Sequence, residues 1–174
     1  MDNTLNTTWK IDGTHSEINF KVRHMMISTV TGSFEKFDGK VETSNEDFKN
    51  GKFSFSAEID SVNTNNNDRD THLKSDDFFG ADKFPKLTFT SKSFDGEKMV
   101  GDLTIKGVTK EVTLETEYNG TAVDPYGQTK AGFEFEGQVS RKDFGLTWNA
   151  VTEAGSVVVS DKVKLIASLQ FIKQ

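Results

Sequence analysis

The sequence contains no cysteine among its 174 residues, which excludes disulfides, thiolate metal sites and thiol catalysis. It also lacks any stretch approaching the roughly 18 apolar residues that a membrane-spanning helix needs. Its first residues, "MDNTLNTTWKID", show neither a basic start nor an apolar run, so their pattern does not indicate a secretion signal. We therefore expect a cytoplasmic protein, or a periplasmic one if a leader was removed.

The charge and length of the chain further limit its class of protein and its partners. The chain carries 21 Lys and Arg against 27 Asp and Glu, a net charge of -6, so no overall field attracts nucleic acid or an anionic membrane surface. Its length suits one domain over residues 1–174, with residues 1–7 as a flexible tail. Of the 19 aromatic residues 15 are Phe, which supply apolar surface without a hydrogen-bonding tip.

The apolar residues alternate with polar ones, which is typical of β-strands with one buried face. In "SEINFKVRHM", for example, Ile18, Phe20, Val22 and His24 share one face. Turn signals at Asp38-Gly39, Asp95-Gly96, Asn119-Gly120, Gly107 and Pro125 to Gly127 separate the runs and favour antiparallel hairpins. The pattern predicts an all-β fold: an antiparallel up-and-down barrel of about eight strands. Such a barrel is either filled by side chains or open to one small apolar ligand, and the pattern fits both.

One segment, "NDRDTHLKSDDFF" at residues 67–79, interrupts the strands with a dense group of charges. We expect a short helical insertion over about residues 66–79, barred from continuing by Pro85. A calcium loop is excluded, because Leu73 stands where Gly is needed and Phe79 where Glu is needed. On a helix, Asp68 lies one turn from His72, so these two are expected to pair.

The other side chains of this segment have expected roles in closing the barrel. Arg69, Asp70 and His72 should fix the loop by local polar contacts. Leu73, Phe78 and Phe79 should close one end of the apolar interior.

Little in the sequence supports catalysis or metal binding. The three histidines, His15, His24 and His72, have no zinc-motif spacing, and no GxSxG, P-loop or GxGxxG segment occurs. His24 shares a face with Phe20 and Val22, so it either reaches into the barrel towards a head group or is satisfied near the barrel end. Arg141 and Asp143, in "SRKDFG", are expected to fix a strand end by an ion pair.

Several motifs occur together and in order: "WKIDGTHSEINFKVRH", "GSFEKFDG", "NDRDTHLKSDDFF", "KFPKLTFTS", "GDLTIKGVTKEV" and "SRKDFGL". In this combination the chain resembles the YceI-like family of lipid-binding barrels, from Trp9 almost to the C-terminus. The resemblance implies an extended, lipocalin-like barrel, usually a homodimer, that needs no cofactor and holds a long apolar chain such as a polyisoprenoid quinone or a fatty amide or acid.

On that resemblance, the ligand would lie against inward-facing residues of the strands. The candidate ligand-binding residues are Phe20, Val22, His24, Phe34, Phe55, Ile59, Leu87, Phe89, Leu103, Ile105, Leu114, Phe133, Phe135, Leu165 and Leu169.

Three functions follow as hypotheses. The first is non-catalytic binding, transport or sequestration of a long-chain lipophilic molecule inside the barrel. The alternative is an enzyme acting on a lipid-like substrate, with His24 or His72 as acid or base. The third is a purely structural or stress-associated barrel with no ligand. Expected partners are a lipophilic small molecule and a second copy of the chain, with no nucleic acid and no metal.

Overall fold

The structure, a computed structural model that describes residues 6–25, 27–148 and 159–174, is a closed antiparallel β-barrel with one α-helix. Its strands are β1 Thr7–Ile11, β2 Glu17–His24, β3 Ser28–Phe34, β4 Phe37–Thr43, β5 Lys52–Glu58, β6 Val62–Asn63, β7 Lys86–Phe94, β8 Lys98–Ile105, β9 Val108–Val123, β10 Thr129–Ser140 and β11 Val159–Lys173.

Eight strands close the ring, in the order β1-β4-β5-β7-β8-β9-β10-β11, and β11 pairs back to β1. The remaining three strands, β2, β3 and β6, extend the wall at one end, where β2 pairs with the first half of β11. The predicted all-β barrel with one helical insertion is therefore confirmed. Thr7, the last residue of the expected tail, belongs to β1, and residues 1–5 of that expectation lie outside the described residues.

Two of the expected turns are not turns. Asp38-Gly39 lies inside β4, where Gly39 pairs with Phe55 of β5. Asn119-Gly120 lies inside β9, where the pairing with β10 shifts register and Gly120 has a φ of +103°. At Gly120 a β-bulge uses the same glycine geometry as a turn, which is why the dipeptide pattern did not separate the two there. The turns expected at Gly96, Gly107 and Pro125 to Gly127 do join strands.

The helical insertion, α1, spans Asn67–Lys74. It begins where the Asn66 side chain accepts a hydrogen bond from the Arg69 amide, which satisfies one free N–H of the first turn. The expected helix over 66–79 is therefore too long: residues 76–79 form turns, and the amide of Phe79 bonds to the carbonyl of Leu73. No helix among the described residues is long and apolar enough to cross a membrane.

One end of the barrel is filled by aromatic rings. Phe48, from the loop between β4 and β5, lies 5.1 Å from Trp9 and 5.0 Å from Phe133, measured between ring centroids. Phe53 adds edge contacts to Phe94 and Phe133. Phe48, Phe53, Phe94 and Phe133 are each 1% exposed, so this half of the interior is close-packed core.

Candidate functional site: an apolar cavity in the other half of the barrel

The half of the barrel that contains α1 is not filled. A cavity of about 100 Å³ lies here between the sheet and the helical insertion. Its wall is formed by inward-facing residues of β2, β3, β7, β8, β10 and β11, and by residues that follow α1 and β10. The lining residues are Phe20, Val22, Phe34, Leu73, Phe78, Phe79, Leu87, Ile105, Val139, Arg141, Phe144, Leu146, Val159, Val163 and Leu165.

A second cavity, of about 50 Å³, lies deeper in the barrel. Four residues, Phe34, Leu87, Ile105 and Leu165, line both cavities. The rest of its wall consists of Ile18, Asn19, Phe55, Phe89, Leu103, Val112, Leu114, Phe135, Ile166 and Ala167. The two spaces are thus separated only by side chains that both share.

Close backbone approaches explain the shape of this wall. The ring of Phe20 lies over Gly32 of the neighbouring strand β3, and a Cβ at Gly32 would come within 2.2 Å of that ring. Glycine at this position therefore lets Phe20 lie flat against the sheet. Phe55 stacks on Phe89, with ring centroids 4.9 Å apart.

The chemistry of the cavity surface is that of a hydrocarbon. The lining side chains are aliphatic or aromatic, apart from Arg141 and Asn19. An apolar cavity of about 150 Å³ excludes water and accepts a molecule such as benzene. Such a surface can hold an alkyl or prenyl chain, but it offers no set of polar groups to orient a polar substrate.

Arg141 is the one cation among the described residues of the wall, and its charge is directed away from the cavity. The side chain is 5% exposed, and it donates hydrogen bonds to the carbonyls of Ser160 (2.9 Å), Leu146 (2.6 Å), Trp148 (2.7 Å) and Val159 (3.2 Å). Burial lowers the pKa of the guanidinium below its ordinary value, partly offset by the negative charge of Asp161.

The expected ion pair between Arg141 and Asp143 is therefore not formed. Asp143 is exposed in the short 3-10 helix Arg141–Phe144, and the four carbonyls take the place of the carboxylate. Arg141 fastens the end of β10 to the start of β11 and to residues 146–148.

The polar side chains of the helical insertion converge on Thr64, which is 3% exposed. Arg69 donates from Nε to Thr64 Oγ1 (2.7 Å) and from Nη2 to the Thr64 carbonyl (2.6 Å). Asp70 accepts from the Thr64 amide (2.9 Å) and hydroxyl (2.6 Å). These four bonds hold α1 against the strand end, with Leu73, Phe78 and Phe79 facing the larger cavity.

His72 does not pair with Asp68. Its Nε2 lies 2.9 Å from Asp77 Oδ2, because the chain turns back after α1 and brings Asp77 over the helix end. The imidazole packs edge-on against Phe78 (5.0 Å) and Trp148 (4.7 Å). Among the described residues, Asp77 is the hydrogen-bond partner of this ring.

Most of the candidate ligand-binding residues line one of the cavities, and four do not. Phe133 and Leu169 belong to the filled end or its border, and Ile59 is buried in the 3-10 helix Ile59–Ser61. His24, half-buried at the end of β2 and paired with Val159, lies in neither cavity wall.

Other lining residues escaped the sequence interpretation. Ile18, Val112, Val139, Val163 and Ala167 share the inward face that the alternation marks, so the same signal could have included them. Phe144 and Leu146 sit outside any strand, and only their apolar character after the polar "SRKD" hinted at a buried role.

Among the residues that the structure describes, no group of three His, Cys, Asp or Glu side chains could hold a metal ion.

A profile of the YceI-like domain matches residues 9–171. The chain belongs to the YceI-like family. A UPF0312 protein from Staphylococcus aureus is 43% identical over 166 residues, which cover 95% of this chain and 97% of that protein.

Solved YceI-like structures share the barrel. The crystal structure of the Campylobacter jejuni YCEI protein superposes with a TM-score of 0.72 at 34% identity, covering 87% of this chain and 90% of that one. A polyisoprenoid binding domain from Saccharophagus degradans superposes with a TM-score of 0.67 at 16% identity, covering 95% and 98%. Because the Saccharophagus degradans domain is only 16% identical, its similarity shows the fold alone.

Proposed function

We propose that this protein is a non-catalytic carrier that binds or sequesters a long-chain lipophilic molecule. The hydrocarbon chain of that molecule lies inside the half of the barrel that side chains do not fill. The observation that carries the proposal is the pair of apolar cavities separated by Phe34, Leu87, Ile105 and Leu165. Membership of the YceI-like family supports it, as does the shared fold with a solved polyisoprenoid binding domain.

The size of the cavities sets how a chain would bind. The larger one suits a single ring or one prenyl unit, so a longer chain requires the four shared side chains to rotate and join the two spaces. A tail of about 20 heavy atoms, at about 0.3 kcal/mol per atom, would gain roughly 6 kcal/mol, a dissociation constant in the tens of micromolar.

The ligand enters by its hydrocarbon end. Both walls are apolar apart from Arg141 and Asn19. Arg141 is occupied by four carbonyls, and the Asn19 side chain donates outward to Glu17, so the described residues offer a charged or strongly polar head group no partner at the inner end. A desolvated head group without a hydrogen bond would cost several kcal/mol. The head group is therefore expected at the cavity mouth, beside α1.

Native mass spectrometry of protein purified from its own source tests the proposal. The expected result is an added mass that matches a prenyl or fatty compound, on a homodimer. A protein free of added mass that also fails to bind the apolar dye Nile red would contradict it. A prenyl alcohol and a fatty amide of equal length, compared as competitors for the dye, would then distinguish the two ligand classes.

A filling substitution localises binding to the cavity. Leu165 lines both spaces, so Leu165→Phe should occupy part of the volume and weaken dye binding by about tenfold. Ser168→Phe adds the same ring to an exposed position of the same strand and should leave the affinity unchanged. Equal effects of both variants would place the binding site elsewhere.

One observation favours a second candidate, an enzyme acting on a lipid-like substrate. His72 and Asp77 form a hydrogen-bonded pair beside Phe78, which lines the larger cavity. Such a pair can move a proton when a substrate group reaches the ring. If the protein is a carrier, His72→Gln should leave its affinity for Nile red unchanged and should abolish no activity. Turnover of a lipid ester or amide that disappears in His72→Gln would favour the enzyme.

A further inference from the structure

The hairpin between β2 and β3 exposes two large apolar side chains at its tip. Ile27 is 78% exposed and Met25 is 39% exposed. The turn is held by the Ile27 amide, which donates to the carbonyl of His24 (3.1 Å). Single exposed apolar residues are common on protein surfaces. The location of this hairpin tip therefore decides whether its exposure indicates a binding surface.

The tip lies at the end of the barrel that contains the larger cavity. Val22, three residues before Met25, lines that cavity, and so does Val159, which pairs with His24 at the end of β2. The inner face of β2 therefore leads from the cavity wall at Val22, past His24, to the exposed hairpin tip.

The outer face of the same strands is basic, in a protein of net charge -6. Lys21 and Arg23 of β2 and Lys162 and Lys164 of β11 are all exposed, and Lys21 pairs directly with Lys164 in the sheet. We call these four residues the basic strip. One acid, Glu136, bridges to Lys164 at 2.8 Å, and like charges opposite each other cost stability.

We propose that the hairpin tip and the basic strip dock the cavity end of the barrel onto an anionic lipid bilayer, where a lipophilic chain can pass between membrane and cavity. Met25 and Ile27 would enter the interface between head groups and acyl chains, and the lysines and Arg23 would face the anionic head groups. Each contribution is modest, since a lysine near such a surface strengthens binding by up to about fivefold, so the contact is reversible.

Charge complementarity selects this partner. The overall negative charge disfavours anionic surfaces, so an anionic bilayer repels the other faces and accepts the one that combines the basic strip with exposed apolar residues. A second hairpin, between β9 and β10, also exposes Val123 (68%) and Tyr126 (89%). It lies at the opposite, filled end of the barrel, and it provides a matched control.

The test is co-sedimentation of the full chain with phosphatidylcholine vesicles, with and without phosphatidylglycerol. The wild type should partition about tenfold more strongly to the anionic vesicles, and salt should weaken the partitioning. Met25→Ser with Ile27→Ser should lower the partitioning about tenfold. Lys21→Gln with Lys162→Gln should lower it by a similar factor and reduce its dependence on salt.

The controls are Val123→Ser with Tyr126→Ser at the other hairpin tip, and Lys10→Gln with Lys52→Gln on strands at the filled end. Both should stay within about twofold of the wild type. A wild type without preference for anionic vesicles overturns the proposal, as do controls that lose as much as the tip and strip variants. Dissociation of a dimer by the tip variant, with vesicle binding unchanged, would also overturn it and assign the tip to a second copy.

The docking proposal goes beyond the proposed carrier function and fails separately from it. Nile red binding in vesicle-free solution reports the cavity alone, and the tip and strip variants should retain it. If the wild type binds anionic vesicles but takes up no dye, docking stands and the carrier function fails.

Discussion

The ring of Phe48 meets the ring of Phe133 edge to face inside the barrel, with centroids 5.0 Å apart and planes at 85°. Phe48 comes from the polar loop between β4 and β5 and has a φ of 64°, a left-handed conformation that is costly for a bulky residue. Burial of the ring offsets that cost, since an aromatic side chain contributes more than most others when it is removed from water. The loop thus closes one end of the barrel with a single side chain.

Removal of this ring should be among the most damaging single changes. Phe48→Ala is expected to lower the free energy of unfolding by about 3 to 5 kcal/mol, because the filled end cannot collapse around the space left behind. Urea unfolding followed by circular dichroism measures the change. Tyr126→Ala removes an aromatic ring that is 89% exposed and should alter stability by less than about 0.5 kcal/mol. Comparable losses would mean that Phe48 does not support the core.

Arg141 is predicted to be irreplaceable, even by lysine. Arg141→Met leaves four carbonyls without their donor, which should cost about 3 kcal/mol or more of unfolding free energy. Arg141→Lys should recover little, because one ammonium cannot reproduce the planar fork of the guanidinium.

Thermal unfolding checks this prediction. The exposed neighbour Lys142→Met serves as the control and should leave the melting temperature nearly unchanged. Full rescue by Arg141→Lys would show that positive charge, rather than geometry, is what the site requires.

An ion network at the filled end should make stability depend on pH. Asp12 is 9% exposed, and its carboxylate accepts hydrogen bonds from Lys130 Nζ (2.9 Å) and the Thr14 hydroxyl (2.8 Å). Burial alone would raise the pKa of Asp12, but the hydrogen bonds from Lys130, Thr14 and His15 hold that pKa far below its ordinary value of 3.8.

Because the pKa of Asp12 is lower in the folded state than in the unfolded one, its stabilising contribution is complete above pH 3.8 and is lost as the pH falls below that value. Asp12→Asn should lower the free energy of unfolding at pH 7 by about 1 to 3 kcal/mol and should flatten the loss of stability between about pH 4 and pH 2. Urea unfolding over that pH range tests this. A variant as acid-sensitive as the wild type would assign the acid response to other carboxylates, such as Asp161, whose pKa is also lowered.

The contacts on Thr64 predict a specific loss when the helical insertion is altered. Asp70→Ala removes the carboxylate oxygen, Oδ1, that accepts hydrogen bonds from both the Thr64 amide and the Thr64 hydroxyl, which should cost about 2 kcal/mol. Asp68→Ala, an exposed acid in the first turn of the same helix, should cost less than about 1 kcal/mol. If both variants melt at the same temperature, the segment is not held through Thr64.

The alternation of apolar residues was enough to predict the barrel, because one side of each strand faces a common interior. Phe20, Leu87 and Leu165 could be placed on the inner face in this way. The same alternation cannot distinguish the filled part of the interior from the cavities, because Phe133 in the filled end and Phe135 beside a cavity lie in identical patterns.

Contacts between distant segments were not predictable in this way. Thr64 is an ordinary polar residue in the sequence, and only the fold brings Arg69 and Asp70 to it. Likewise, His72 finds Asp77 because the chain reverses after α1, whereas helical spacing favoured Asp68. The sequence gives one indication of the role of Phe48, because it is an isolated Phe in the polar stretch "SNEDFKNG". Its place in the core is evident only from the folded barrel.

The division of the barrel interior has an evolutionary consequence. Since Phe48 and its neighbouring rings supply a close-packed core at one end, substitutions around the cavity at the other end can change volume without removing that core. Under the proposed carrier function, relatives of this chain would then be free to diverge in ligand while keeping the same scaffold. Differences in ligand between YceI-like proteins should therefore concentrate at positions such as Leu73, Ile105 and Leu165, rather than around Phe48.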